Sequence, residues 1–366
     1  MSLKIRLEAR EHVSTIRILL VTVISVCAAL FFCALFILAQ GFSPIAVYLR
    51  LFNGGFGSWE IFSETVLQGI PLMLCGLGTA MSLKMSINNI GAEGQFLIGA
   101  LSTSWVALYG QQLPSGLIVV VALVFGFLGG AIWSTLATAP RAFLNVNETI
   151  VTLMFNYIAL YLVDYFCYGP WRDSAGSNMP YTEIFPSNTH LKTFAGTRVH
   201  SGILIAIVAA ALIQLFYKYT SRGYQVRVLG ANQTAACYAG MNLKFNILLI
   251  MFLSGGLAGL AGGSYATGVV HRLQPNLAGG VGYTAIIIAY LAKFNPLAVL
   301  IIAILFGGLN QGGYSAQVMG FSYRIVTFIQ GAILLFVLAG EIFTRKNIRI
   351  TFRKSSEMVT SRYSCE

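Results

Sequence analysis

From Leu19 to Ala39 the chain runs 21 residues without a charge, and from Leu117 to Ala139 it runs 23. About 18 or more apolar residues in a row are enough to cross the hydrocarbon core of a bilayer as a helix. Each backbone N–H and C=O in that medium must bond inside its own segment, so a chain with many such runs is constrained to a helical membrane bundle. Comparable runs recur to the end of this sequence. Composition agrees: 57% of the residues are hydrophobic and 10% are charged, against about 25% charged in ordinary soluble domains. The first run exceeds the apolar core of a secretory signal, about 7–15 residues, and no small-residue cleavage pattern follows it. It is expected to stay as a span.

Ten spans are expected, near 17–39, 61–83, 90–109, 117–138, 148–168, 201–217, 245–263, 279–292, 296–309 and 323–343. The expected fold class is all-α, a polytopic transmembrane bundle. One membrane domain covers 17–343, between a segment 1–16 and a basic tail 344–366. The eighth and ninth spans, about 14 residues each, are short enough to be tilted, broken or re-entrant. Placing the N-terminus in the cytoplasm puts 17 of the 23 basic residues on that side. They include Lys84, Arg141, Lys218, Arg222, Arg227, Lys244 and Lys293, together with the basic residues of both ends. Short cytoplasmic loops carry an excess of Lys and Arg, so both termini are expected to be cytoplasmic. The net charge of +11 therefore sorts by membrane side and does not point to nucleic acid.

Two connections are long. The outer segment 169–200, with Pro170, Trp171, Pro180 and Pro186, is expected to pack over the mouth of the bundle. The inner segment 218–244 has four basic residues and no acid. Tyr224–Tyr238 is expected to form short helices, broken at Gly230 and ended at Gly240. Such a loop is either a docking surface or a basic loop that merely obeys the inside rule. The six cysteines, Cys365 among them, are scattered, with no CxxC pair and no Cys/His cluster. Neither a metal site nor a disulfide framework is expected.

Polar residues within apolar runs are more informative. Gly255, Gly259 and Gly263 recur every four residues, as do Gly126 and Gly130, which marks close helix packing. An acidic group at membrane depth costs about 2.5–3.5 kcal/mol and faces a cavity or a partner. Among Glu64, Glu93, Glu148 and Asp164, the strongest candidate is Glu93. Its surroundings, Asn88-Asn89-Ile90-Gly91-Ala92-Glu93-Gly94-Gln95, do not make a lipid-facing helix. Gly91 and Gly94 are expected to let the chain turn or break there, and broken helices recur at transport sites. The bland alternative is a helix start stabilised by its dipole. In the fifth span, Asn147, Glu148, Thr152 and Asn156 fall at helical spacing on one face, with Gln68, Asn310, Gln311 and Gln330 as further polar groups. Uncharged groups dominate, which suits a neutral polar solute.

No G-x-x-x-x-G-K-[ST] loop, HExxH or GxSxG motif occurs. The chain is expected to bind no ATP, metal or other cofactor, and to hold no catalytic residues.

The run NNIGAEGQFLIGA resembles the NIGAEGQ signature of permease subunits of bacterial ABC importers. The closest group is the nucleoside/simple-sugar permeases, within the ribose and branched-chain amino acid permease superfamily. NETIVTLMFNYIA is similar to that group's NE-x-I-x-TLM-x-NYIA motif, and TSRGYQVRVLGANQTAACYAGMN to its coupling loop. The SGGLAGLAGG helix also matches, so the resemblance covers about 60 to 343. Asn88 departs from it, standing where an aromatic is common.

The resemblance implies a multi-pass subunit of an importer in the bacterial cytoplasmic (inner) membrane. Its implied partners are a cytoplasmic ABC ATPase that uses ATP, a second permease (homologous or identical) and an extracytoplasmic solute-binding protein. It implies ATPase contact by Arg222, Gly223, Arg227, Gly230, Asn232, Ala236 and Gly240. It implies a path lined or gated by Asn88, Asn89, Glu93, Gln95, Asn147, Glu148, Thr152 and Asn156. The expected solute is a nucleoside or simple sugar, and riboflavin or another heterocycle fits as well. The rival from another class is a secondary transporter driven by an ion gradient, with a membrane-embedded enzyme third.

Overall fold

Asparagine starts several of the helices. A computed structural model describes residues 2–9, 15–173, 179–194, 196–318, 320 and 322–353. In it Asn147, Asn232, Asn242 and Asn295 each accept a backbone N–H from the first turn of the helix that follows. Such caps satisfy amides that a helix end leaves without partners. Arg10 and the tail beyond 353, with Lys354, Arg362 and Cys365, lie outside the described residues.

The helices are α1 (Thr15–Ala39), α2 (Pro44–Phe56), α3 (Trp59–Lys84), α4 (Ala92–Tyr109), α5 (Ser115–Leu144), α6 (Glu148–Tyr168), α7 (Gly202–Tyr219), α8 (Ser221–Ala231), α9 (Gln233–Tyr238), α10 (Leu243–Tyr265), α11 (Val281–Leu291), α12 (Pro296–Gln317) and α13 (Arg324–Arg345). A π-helical turn, Ala266–Val270, extends α10. All ten expected spans fall on helices. Among the described residues seven helices are long and apolar enough to cross a membrane; α4 is not one of them, and α11 and the Arg324–Gly340 part of α13 are shorter apolar helices.

Three differences from the sequence reading have physical causes. α2 lies in what read as an outer loop, since Arg50 and Asn53 interrupt its apolar pattern. α12 runs to Gln317, well past 309, because Asn310, Gln311, Gly312 and Gly313 lower hydropathy without stopping a helix whose small residues are buried. In the 218–244 loop the break falls at Asn232 rather than Gly230, because the Asn232 side chain accepts the Ala235 amide at 3.0 Å and starts α9.

The chain forms two compact units. Residues 1–44 and 328–366 make one. There strands β1 (Ser2–Ala9) and β2 (Lys346–Arg353) pair antiparallel, Ser2 opposite Arg353, which brings the two ends of the described chain side by side. An otherwise helical fold thus carries one two-stranded ribbon. In α1 and α13, Phe32 and Phe36 pack against Phe328, with ring centroids 6.2 and 4.6 Å apart.

Residues 45–327 make the larger unit. α3 is its axis, buried almost throughout and packed by α10, α11 and α12. α10 crosses α5 and α4 along the glycine seam. A methyl at Gly259 would overlap the Gly126 carbonyl oxygen, and one at Gly99 would overlap Gly259. Without side chains between them the backbones approach closely, and dispersion contacts replace the hydrophobic drive that lipid cannot supply. The 179–194 part of the outer loop lies over the end of α10: the Thr182, Phe185 and Leu191 amides donate to the Leu273, His271 and Thr267 carbonyls.

Candidate functional site

Lys84 ends α3, and the chain does not become helical again until Ala92. Ser86 takes a left-handed backbone, φ 60°, which costs a non-glycine residue roughly 1–2 kcal/mol. Its hydroxyl donates to the Gly230 carbonyl of α8 at 2.9 Å. Gly91 closes the irregular stretch, as expected. Gly94 does not break the chain: it lies inside α4, where its missing side chain lets Asn156 approach.

Here the expected polar residues converge. Asn89 and Gln95 pair their amides reciprocally, at 3.1 and 3.0 Å, and Asn89 also donates to the Ser254 hydroxyl of α10 at 3.1 Å. Asn156 of α6 accepts from the Gly94 amide at 2.8 Å and donates to the Ile90 carbonyl at 2.9 Å and the Tyr283 hydroxyl at 3.4 Å. Thr152 is fully buried against Gly91, and its hydroxyl donates to the Glu148 carbonyl. Glu148 sits at the margin, 3.4 Å from Arg141 and 3.4 Å from the Asn88 amide. Asn147 is an exposed cap, and the Asn88 side chain is exposed as well. The structure thus brings Asn89, Glu93, Gln95, Thr152 and Asn156 together and leaves Asn88 and Asn147 outside. Gln68, Asn310 and Gln311 lie on α3 and α12, and Gln330 on α13.

Glu93 makes the decisive contact. Its two carboxylate oxygens accept the Gly280 amide at 2.7 Å and the Gly282 amide at 2.6 Å, and the Tyr283 amide donates as well. These are the unpaired N–H groups at the start of α11. A carboxylate there meets both the orphan donors and the positive end of the helix dipole, and charge-assisted bonds of this kind offset the cost of burial. Gly280 has φ 90° and caps the helix in the left-handed region, which favours glycine. A methyl on Gly282 would strike the Glu93 and Ala92 backbone.

The depth of this contact follows from helix geometry. Asn156 lies about 12 Å along α6 and Ser254 about 16 Å along α10, counted from their first residues Glu148 and Leu243 at about 1.5 Å per residue. Both helices start at the end that carries α8, since Asn88 bonds Glu148 and Asn246 bonds Gln225 of α8. Glu93 therefore lies well inside the bundle. α11 has 11 residues, about 16 Å, or half of a ~30 Å hydrocarbon core. It is a half-helix whose N-terminus stands at mid-depth. Residues 271–280, without regular structure, lead down to it. Gly280, Gly282, Tyr283 and Ser254 were not singled out from the sequence; the adjacent Gly279 and Gly280 before an apolar run were the available signal.

The coupling-loop residues are arranged differently. In α8, Gly223, Val226 and Leu229 are buried while Arg222 and Arg227 are exposed. Arg222 bonds Gln225 at 3.1 Å and stacks over the Phe245 ring at 4.6 Å. Gly230 abuts the Lys84 carbonyl. In α9 only Ala236 is buried, Tyr238 is 90% exposed, and Gly240 ends the segment at φ 78°.

Comparison with known proteins places this geometry. The model of a family described as branched-chain amino acid transport system / permease component matches residues 61–338. The chain is 30% identical to the glucose ABC transporter permease protein TsgB13 of Haloferax volcanii, over 96% of this chain and 95% of that one. It is 32% identical to the guanosine ABC transporter permease protein NupP of Bacillus subtilis, over 87% and 92%. It is 28% identical to the nucleoside ABC transporter permease protein NupB of Lactococcus lactis, over 88% and 91%.

Proposed function

The chain belongs to the family of branched-chain amino acid transport permease components, and on that premise we propose that it is the membrane-spanning permease of an ATP-driven importer for a neutral polar solute, a nucleoside or simple sugar. The observation that carries the solute class is the Glu93 contact. Half-helix N-termini at mid-depth attract anionic groups of a solute. Here the chain's own carboxylate occupies that position, so the N-terminus of α11 is not a free positive helix end for an anion. The polar groups around it are amides and hydroxyls, which match the hydroxyls and ring nitrogens of nucleosides and sugars. The named activities of the three relatives, glucose, guanosine and nucleoside transport, support the same reading.

The drive comes from outside the chain. An ATPase subunit on the cytoplasmic side would dock on the exposed Arg222, Arg227 and Tyr238 surface of α8 and α9, with Asn232, Ala236 and Gly240 shaping it. Both ends of the chain then lie in the cytoplasm, in line with the pairing of β1 and β2 and with the basic inner loops. A second permease and an extracytoplasmic binding protein complete the importer in the cytoplasmic membrane. The Ser86–Gly230 bond supports a mechanical link: movement of α8 pulls on the irregular segment that carries Asn89 and leads to Glu93. Asn147, Glu148 and Asn88 would then sit at the cytoplasmic margin of that path.

Proteoliposomes containing the chain, its second permease, its ATPase and its solute-binding protein test this. Labelled guanosine or glucose should enter only with ATP, and a labelled amino acid or nucleoside monophosphate should not. Uptake that persists without any ATPase, driven by an ion gradient, would overturn it.

A further inference from the structure

A cavity of about 260 Å³ opens between the ends of α3, α7 and α8 and the turn that joins α11 to α12. Lys84, Lys218 and Arg227 line it with Gln214, Asn295 and Tyr217, and no acidic side chain does. The ion pairs Arg141–Glu148 and Arg198–Glu64 do not involve these three cations, and the Lys218 ammonium lies 5.1 Å from the exposed Tyr219 ring. Tyr217 is 7% exposed, and its hydroxyl has no hydrogen-bond partner among the described residues. Three cations and two side-chain amides line one cavity, which suits an anion with several acceptor oxygens, the chemistry of a phosphate.

The surface beside the cavity says where that phosphate comes from. Gln214 and Lys218 continue, at helical spacing, a face of α7 formed by Leu204, Ile207 and Ala211, all exposed. On α12, next to Asn295, the exposed stripe is Leu297, Ile301 and Leu305. Two apolar tracks thus run from a cationic pocket into the membrane zone. We propose that this cavity holds the phosphate headgroup of an anionic phospholipid from the leaflet that borders α8, with its acyl chains along α7 and α12. Basic pockets between spans are suited to such headgroups. The site does not depend on what the chain transports, and it would tie lipid composition to the position of α8 through Arg227.

The test uses the purified full-length chain in detergent and native mass spectrometry, with dioleoyl-phosphatidylglycerol and dioleoyl-phosphatidylcholine offered at equal concentration. The chain should retain the anionic lipid about tenfold better. Lys84→Gln with Lys218→Gln should abolish the preference, and Lys84→Arg with Lys218→Arg should keep it. Equal retention of both lipids would overturn the proposal, and so would an undiminished preference in the double Gln variant. Displacement by millimolar inorganic phosphate would overturn it in favour of a free-anion site. Unchanged lipid retention with loss of ATPase binding in the double Gln variant would overturn it in favour of a protein contact. If the double Gln variant is not monodisperse, the Arg pair and the single Lys84→Gln variant decide, since loss of the preference in the Arg pair or an unchanged preference in Lys84→Gln each count against the site.

Discussion

The start of α4 and the α8–α9 pair both place polar residues in an apolar chain, but they hold them in opposite ways. At the start of α4 the buried polar side chains are spent on partners in the protein: Asn89 on Gln95 and α10, Asn156 on the turn before α4, Glu93 on α11. In α8 and α9 most polar side chains bond locally or face solvent, and a thin apolar face, the Asn246–Gln225 bond and the Ser86–Gly230 bond hold the pair to the bundle. Burial explains the difference. Burial makes an unpaired polar group costly, and the polar groups at the start of α4 are paired. At the surface water satisfies such groups, and the residues are left available for a partner protein. The lesson is that the two regions should fail differently, the first by losing structure and transport together, the second by losing coupling alone.

The largest effect is expected from Glu93→Ala. It strips the α11 amides of their acceptor at a buried position, at a cost of about 3 kcal/mol or more. Both uptake and thermal stability should collapse, and Glu93→Gln should recover part of each. An Ala variant with normal melting and normal uptake would break the comparison. Gly282→Ala should come next, forcing α11 off α4 at about 1–3 kcal/mol, with a lowered melting temperature as the readout. Asn156→Ala removes two backbone anchors and should cost about 1–3 kcal/mol while uptake falls several-fold.

Arg227→Glu tests the other region. The residue is exposed, so melting should stay within about 0.5 kcal/mol of the natural chain, while solute-stimulated ATP hydrolysis falls. Unchanged hydrolysis would remove α8 from the coupling surface.

The smallest effect concerns the outer loop. His200 lies outside the spans, and burial, with His271 adding to it, pushes its pKa down to about 4. Above 6.5, the ordinary value, folded and unfolded states are both neutral. As pH falls from there toward 4 the unfolded state takes up the proton first, so the stability contributed by neutral His200 is lost over that window. Amide protection factors, corrected for the pH dependence of intrinsic exchange, should fall across 182–194 and 196–201 between about pH 7 and about pH 4.5, and His200→Asn should flatten the response.

Much of the fold was legible because its signals are local. Uncharged runs such as Leu117–Ala139 need only their own length to declare a span. The Gly255-Gly259-Gly263 stripe declares a packing face by periodicity, and α10 does lie on α5 along it. α2 was hidden because Arg50 and Asn53 break the run that a span would need. At the site, the sequence marked Glu93 and Asn156 as polar groups out of place. It did not show that they meet, because their partners are backbone amides and carbonyls that every residue type presents.

The sequence by itself determined that this chain is a multi-pass helical membrane protein and, through its motifs, which family it joins, because hydropathy and motif spacing are properties of the chain alone. Only the tertiary structure decided that the short eighth span is a half-helix ending at mid-depth, and that Glu93, 187 positions earlier than Gly280, is the group that caps it. That pairing is set by how far the segment 85–91 carries the start of α4 into the bundle. Neither segment encodes the depth, because it is fixed by the packing of α3, α6 and α10 around them.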